Sequence, residues 1–315
     1  VSIDAKYGFP YNESLREPII EFSYYDQRTV TISGMTYSCP DQLYVVSYPS
    51  LDSKSTTQVC YSASMVMDAL WESFTTGFNC KRINGMFSLS EQVNDFDIAY
   101  YSDNSYSAMT HLTVTSCKIE LNSNIKLTPV FKNLANKLPT TYNSETCKYF
   151  VEFINMFGTS FIFRAVFGGY VFMDSYFTKE TSYTKDSSQV SIEIGTQFLM
   201  FTTNSSVAWN NTEVGKYLDE TYNSTLELYG GFPEDYSPYN YNPWISSVPL
   251  NPIIVRGSLE NLSTLLTPIN FNLKDKKYKI TKLSQQQNAL NEAINDYLND
   301  GTIYLNCDNV AIIAN

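Results

Sequence analysis

Histidine is nearly absent from this chain: His111 is the single histidine among 315 residues. One histidine excludes zinc sites built from several histidines and leaves one candidate base for a serine or cysteine nucleophile. No acidic residue close in sequence could orient His111, so we interpret it as a surface or hydrogen-bonded histidine. The cysteines form no CxxC pair, which gives no support to a zinc ribbon or a thioredoxin-like motif. No apolar run reaches the length of a transmembrane helix.

Basic residues are also scarce, with 21 Lys and Arg against 32 Asp and Glu and a formal net charge of −11. This balance argues against nucleic acid as a partner, because phosphate binding needs a basic surface. Hydrophobic residues make up 43% of the chain and charged residues 17%, so a large core is expected and disorder is not. The length allows one large domain or two ordinary ones.

The residues predict no catalytic, metal or cofactor site. Asp95 and Asp97 would share one face of a strand, but the paired carboxylates of glycosidases usually come from separate segments. A solvated strand face is the better interpretation of this pair. Gly168-Gly169 and Gly230-Gly231 lack the surrounding residues of phosphate-binding loops. We therefore expect that the protein is not an enzyme.

Cysteines and glycosylation sequons favour a secreted protein, or one of a secretory or endosomal compartment. Six cysteines could form three disulfides in any of fifteen pairings, and we expect at least two bonds. Cys39–Cys60 is the favoured pair, because both residues flank the same loop. The five N-x-S/T sequons are at Asn12, Asn204, Asn210, Asn223 and Asn261.

Hydrophobic periodicity predicts an α+β fold. A helix is expected from Ser62, and another after Thr128-Pro129, a helix cap followed by proline. A third helix should end at Gly158, followed by a long strand from Phe161 to Phe177. The paired glycines within that strand indicate a bulge, a bend or a close backbone approach. The last helix is predicted over 284–299, with Ser284 as its cap.

The end of the third helix carries a motif. Phe157, Gly158, Thr159, Ser160 and Phe161 are followed, six residues later, by Gly168 and Gly169. This pattern resembles the signature of the membrane-attack-complex/perforin (MACPF) family. Ser160 departs from the family pattern, where histidine is usual, and Phe157 replaces the commoner Tyr or Trp.

Other landmarks follow in the order that the family shows. They are Gly230, Gly231, Pro233, Trp244 and Pro252. The opening Tyr-Gly-Phe-Pro-Tyr-Asn stretch and Pro18 resemble perforin-like proteins of unicellular parasites. The resemblance covers residues 7 to 300 and predicts a single MACPF domain over 1–315. Trp244 is interpreted as an anchor of the core or of an interface.

The resemblance implies a bent, twisted four-stranded antiparallel sheet flanked by helical clusters. In the family those clusters unfold into amphipathic β-hairpins that line a pore, so a lipid membrane is the implied partner. The protein would be a monomer in solution and a homo-oligomeric arc or ring on the membrane. Gly168-Gly169 would be a hinge of the sheet.

By position, the membrane hairpins should come from 87–118 and 201–228, helical before insertion. A turn at 102–104 would form the first hairpin. The residues expected to meet lipid are Phe96, Ile98, Tyr100, Tyr106, Leu112, Val114, Val207 and Trp209. We expect acid to favour membrane binding, because protonated carboxylates are less costly near hydrocarbon.

Two alternatives remain open. Glycans at Asn204, Asn210 and Asn223 would prevent the second segment from crossing a membrane, which favours a non-lytic MACPF adhesion or developmental protein. The second alternative, a secreted hydrolase that uses the acidic residues, lacks a catalytic constellation.

Overall fold

The computed structural model describes residues 2–7, 15–51, 56–122, 125–184, 186–192, 194, 223–235, 242–273 and 277–299. The strands are β1 (Ser2–Ile3), β2 (Thr29–Ile32), β3 (Met35–Ser38), β4 (Leu43–Leu51), β5 (Thr56–Cys60), β6 (Ser105–Leu121), β7 (Ser160–Thr178), β8 (Asn223–Tyr229) and β9 (Ile253–Asn261). The α-helices are α1 (Ala63–Thr75), α2 (Glu91–Ser102), α3 (Pro129–Lys137), α4 (Cys147–Phe157), α5 (Lys179–Thr184), α6 (Asn242–Ser247) and α7 (Lys277–Asn299).

One antiparallel sheet organises the described part of the chain, with β6 and β7 as its long central pair. On the outer side of β6, β5 pairs with one half of the strand and β4 with the other half. On the outer side of β7, β8 and β9 divide the strand in the same way. The sheet is therefore four strands wide, and the predicted α+β class with an antiparallel sheet is confirmed.

Capping residues fix several helices where the sequence predicts them. The Ser62 hydroxyl accepts a hydrogen bond from Met65 N, and the Thr128 hydroxyl accepts one from Phe131 N. Gly158 ends α4 with a φ of 77°, a conformation that costs other L-residues energy. The predicted start at Ser284 is wrong, because α7 begins at Lys277 and buries Leu283 and Gln286 against the core.

The prediction that 87–118 is helical is correct for only part of the segment. Residues 91–102 form α2, but residues 105–118 belong to β6. That strand pairs with neighbours on both sides and its residues are mostly buried, so its alternating sequence fits a sheet covered on both faces. Residues 223–228 of the second predicted segment form strand β8, not a helix, and 201–222 lie outside the described residues.

The predicted Cys39–Cys60 disulfide is wrong. Both residues are buried free thiols, and Cys80 and Cys117 are free as well. With four of the six cysteines free, at least two disulfides within the chain are not possible, because only Cys147 and Cys307 remain. Cys60 lies in the sheet on β5, whereas Cys39 directly follows β3, so the loop that both flank does not bring them together.

Candidate functional site: the α1–α2 segment and the sheet beneath it

Helices α1 and α2 fill the connection from β5 to β6, that is, residues 61–104. The connection leaves the sheet where Cys60 pairs with Ser107 and returns at Ser105. The connection from β7 to β8, residues 179–222, leaves the same end of the sheet, because Tyr176 pairs with Asn223 there. Two long connections thus leave one end of the sheet.

The two faces of the sheet differ in what covers them. On one face, Val66 and Ala69 of α1 and Phe96 of α2 pack against Met109 and Phe172. The other face is more apolar, and it includes Ala108, Leu112, Val114, Val171 and Met173. Val190, Ile194, Trp244 and Val248 cover that second face. Helices α1 and α2 therefore lie on the more polar face.

A buried carboxyl group lies on the face beneath α2. Asp174 accepts hydrogen bonds from the Ser107 hydroxyl at 2.6 Å and the Tyr176 hydroxyl at 2.8 Å. Burial raises the pKa of Asp174 to about 6, against the lowering effect of these hydrogen bonds. Asp95 of α2 raises it further by charge repulsion.

The pKa of a second carboxyl group, that of Asp95, is also shifted. Partial burial, and then repulsion from Glu227 of β8, raise the pKa of the Asp95 carboxyl. Three carboxyl groups from α2, β7 and β8 are thus electrostatically coupled under the helix. The Lys179 cation contacts the same helix, since its Nζ is 3.5 Å from the centre of the Tyr100 ring of α2. Release of α2 would separate the carboxyl groups and expose Asp174 to water.

A small cavity of about 50 Å³ lies under α1 on the same face. His111 lines it, and its Nε2 atom is 3.3 Å from the Ser73 hydroxyl of α1. The expectation of a hydrogen-bonded histidine is confirmed. Among the described residues, no group of three His, Cys, Asp or Glu residues could hold a metal ion.

The signature residues Gly158 and Thr159 contact the segment 2–7. A side chain at Gly158 would place its Cβ 2.2 Å from Ile3 O, so only glycine allows this approach. Thr159 N donates to Ile3 O at 2.9 Å, and Ala5 N donates to the Thr159 hydroxyl at 3.1 Å. Phe157, Ser160 and Phe161 are buried in the core or the sheet.

The paired glycines lie where β7 changes partner from β9 to β8. Gly168 is the last β7 residue paired with β9, through Ile253, and Tyr170 is the first paired with β8. A Cβ on Gly168 would come within 1.9 Å of Val114 O, so of the three alternatives the close backbone approach is present. A hinge role for these glycines stays a prediction.

The other landmarks pack around this crossing. Trp244 is fully buried, and its Nε1 donates to Gly230 O at 2.9 Å, which confirms it as a core anchor. Gly231 lies against the same ring, where a Cβ would be 2.8 Å from Nε1. Pro233 opens a 3₁₀ turn, and Pro252 directly precedes β9.

The residues predicted to meet lipid lie in two elements. Phe96, Ile98 and Tyr100 are on α2, while Tyr106, Leu112 and Val114 are on β6; Val207 and Trp209 lie outside the described residues. Lipid contact by these residues stays a prediction. Ile98 is 61% exposed on α2, so packing in this state does not explain its apolar side chain.

Sequence reasoning missed α1 as part of the site. The sequence pattern that could have shown this is an apolar residue at every second position from Tyr61 onward. The same stretch also has the apolar spacing of a helix. The apolar positions of this alternation are Tyr61, Ala63, Met65, Met67, Ala69 and Trp71. Within the described residues, no helix has the length and hydropathy of a transmembrane span.

The fold and this site define a class of protein: an antiparallel sheet with two long connections at one end, of which α1, α2 and residues 190 and 194 pack onto the faces of the sheet. The MAC/Perforin domain model matches residues 3–304. The chain therefore belongs to the MACPF family. A comparison with curated proteins gives no match.

One solved structure shares this fold, and two others are similar to a lesser degree. GNIP1Aa from Chromobacterium piscinae superimposes with a TM-score of 0.66 at 14% identity, covering 95% of this chain and 55% of its own. A protein from Bacteroides thetaiotaomicron, titled as a cell invasion protein with a MAC/Perforin domain, has a TM-score of 0.48 at 12% identity. The match covers 91% of this chain and 59% of that protein. Astrotactin-2, titled a vertebrate-specific perforin-like membrane protein, has a TM-score of 0.42 at 12% identity. The match covers 92% of this chain and 44% of that protein. The chain spans about half the length of these relatives.

Proposed function

We propose that this MACPF domain forms pores: it binds a lipid membrane, oligomerises there as an arc or ring, and converts residues 61–104 into a membrane-crossing β-hairpin. In solution it is a monomer. We propose residues 61–104 in place of the segment 87–118 that the sequence predicts, because residues 105–118 already form a strand of the sheet. The second hairpin comes from 179–222, between β7 and β8.

The pairing of β5 with β6 is the observation that carries this proposal. Thr56 pairs with His111 and Cys60 with Ser107 in one unbroken register. The next pair in that register is Tyr61 with Tyr106, and their rings are already in contact with centroids 4.9 Å apart. The side chains of that next pair are therefore already adjacent, although the strand pairing itself ends at Cys60.

If the pairing of β5 with β6 continued past Cys60 in the same register, the alternating apolar residues of α1 would lie opposite those of α2. Met67 would face Tyr100, Ala69 would face Ile98, and Trp71 would face Phe96. Residues opposite each other in an antiparallel pair point to the same side, so one face of the hairpin would be mostly apolar, with Ser102 and Asn104 as its polar positions next to the sheet. Arms of 61–72 and 95–106 have the ~10 residues that a tilted strand needs to cross a bilayer.

The other face of the hairpin would carry the acidic residues of both arms, together with Val66, Leu70, Ala99 and Tyr101. Asp68 and Glu72 of the first arm lie on the same side as Asp95 and Asp97 of the second. This side continues the sheet face that carries Asp174, whereas the apolar side continues the face of Ala108 and Leu112. An apolar outer face and a polar inner face are what a membrane barrel requires.

A cysteine pair placed by this register tests the proposal. Ala69 is buried and Ile98 faces solvent, so Ala69→Cys with Ile98→Cys should not crosslink in solution. On vesicles that release an encapsulated dye, peptide mapping should find the 69–98 bond. The control pair, Ala69→Cys with Asp97→Cys, is one residue out of register and should not crosslink in either state.

Two outcomes contradict different parts of the proposal. If neither anionic nor zwitterionic vesicles release dye over a range of pH, pore formation is wrong. If dye is released while the control pair crosslinks and the 69–98 pair does not, the hairpin register is wrong.

A non-lytic role is the second candidate, favoured by the sequons at Asn204 and Asn210 within the 179–222 connection. A glycan on a membrane-crossing strand could not be desolvated at reasonable cost. Glycan mapping of the secreted protein decides: occupied sites favour an adhesion or developmental role, and bare sites favour the pore. In either role we infer a secreted or endosomal protein without enzymatic activity.

A further inference from the structure

Residues 2–7, here called the restraining segment, run through the interior of the domain. Each residue from Ser2 to Lys6 is 2% exposed or less. Two of these buried residues, Asp4 and Lys6, carry charged side chains, which are costly to bury unless they are paired. Packing alone does not explain them, because apolar residues would fill the same space without that cost.

The restraining segment is bound on one side to the fixed sheet. Ser2 and Ile3 pair with Phe161 and Ser160 of β7, and Thr159 binds the backbone at Ile3 and Ala5. These contacts anchor the segment to the signature motif.

On its other side, the segment holds the connector between α1 and α2. Phe87 N donates to Ala5 O at 2.9 Å, and Leu89 N donates to Lys6 O at 2.8 Å. Phe87 has a φ of 66°, which is unusual for a bulky residue and stores strain in the backbone. Gly85 also packs so closely on Leu298 O of α7 that a Cβ there would lie within 1.8 Å.

Tyr297 of α7 joins the two buried charges. Its hydroxyl donates to an Asp4 carboxylate oxygen at 2.7 Å, and Lys6 Nζ lies 4.2 Å from the centre of its ring. Arg16 also contacts Asp4, at 3.3 Å. The Tyr297 side chain therefore helps to fix the segment against α7.

We propose that the restraining segment is an autoinhibitory contact that keeps α1 and α2 helical until the protein meets its target. The inference rests on the proposed function. In the extended hairpin residues 73–94 would form the tip, so the bonds from Phe87 and Leu89 to the segment must break before the arms can extend. The strained backbone of Phe87 would relax at that step.

Tyr297→Phe is the sharpest test, because it removes the bond to Asp4 and leaves the ring in place. Amide hydrogen exchange at Phe87 and Leu89 should quicken roughly tenfold or more in solution, the effect of losing one hydrogen bond to a buried charge. Lys6→Met, which keeps the volume and removes the charge, should act in the same direction and serves if Tyr297→Phe does not fold.

Leu290→Val is the matched control, because it weakens the buried face of α7 without removing a hydrogen bond or a charge of the restraining segment. When the two variants have the same melting temperature, amide hydrogen exchange at Phe87 and Leu89 should stay slow in Leu290→Val. Dye release from vesicles should be several-fold faster for Tyr297→Phe than for Leu290→Val.

Unchanged exchange at Phe87 and Leu89 in Tyr297→Phe, or an equal rise in Leu290→Val, would overturn the inference. Equal rates of dye release in the two variants would do the same. If the wild-type protein releases no dye at all, the proposed function fails, and the exchange measurement alone then decides whether the segment restrains the connector.

Discussion

Asp174 should make the docking of α2 depend on pH. Its pKa is raised to about 6 from an ordinary value of 3.8, chiefly by burial and then by Asp95. The carboxylate face of the sheet also includes Glu227, while Ser107 and Tyr176 donate hydrogen bonds to Asp174. If α2 left the sheet, Asp174 would meet water and its pKa would return toward the ordinary value.

The sign follows from which state binds the proton more tightly. The docked state has the higher pKa, so protonation stabilises docking, and docking weakens as pH rises through about 6. The shift corresponds to about 3 kcal/mol in full. Lowering pH from 7.5 to 5 should reduce the equilibrium for release of α2 about tenfold.

This sign is opposite to that of the acid-favoured membrane binding expected from the sequence, and the two effects act on different steps. Acid should still favour binding of an anionic vesicle surface, since it reduces the net charge of −11. It should slow the conversion that follows. Sedimentation of vesicles measures the first step, and dye release from equal amounts of bound protein measures the second.

Asp174→Asn keeps the shape of the side chain and removes its titration. At pH 7.5 the variant should melt a few degrees higher and release dye more slowly, and between pH 7.5 and 5 both profiles should flatten. Glu234→Gln removes one negative charge from an exposed site and should retain the wild-type profile. If Asp174→Asn follows the wild-type pH profile in both assays, the reasoning is wrong.

Three further predictions follow from the geometry. Thiol labelling of the denatured, unreduced protein should modify at least four cysteines, and complete protection would contradict the free thiols found here. Gly158→Ala should lower the free energy of unfolding by about 2 kcal/mol or more, because its Cβ would collide with Ile3 O in a left-handed backbone; an unchanged denaturation midpoint would contradict this. Trp244→Phe leaves Gly230 O without its donor and should cost about 1–3 kcal/mol, measured by denaturation, whereas the exposed Tyr25→Phe should cost almost nothing.

The amino-acid sequence by itself determined the local features of this protein. Ser62 and Thr128 cap helices, and Gly158 ends one, because these depend on hydrogen bonds and backbone angles within a few residues. The long strand after Gly158 and the family signature could also be identified in this way. Trp244 was identified as an anchor for its size and aromatic character.

Only the tertiary structure decided which residues belong to the candidate hairpin. Around α1 the apolar residues satisfy a helical period and a strand period at once, so local pattern cannot choose between them. The choice is made by the register of β5 against β6, a contact between residues about fifty positions apart. The fates of Cys39 and Cys60 are decided in the same way: a count of cysteines fixes no distances, and the fold places the two thiols in separate elements.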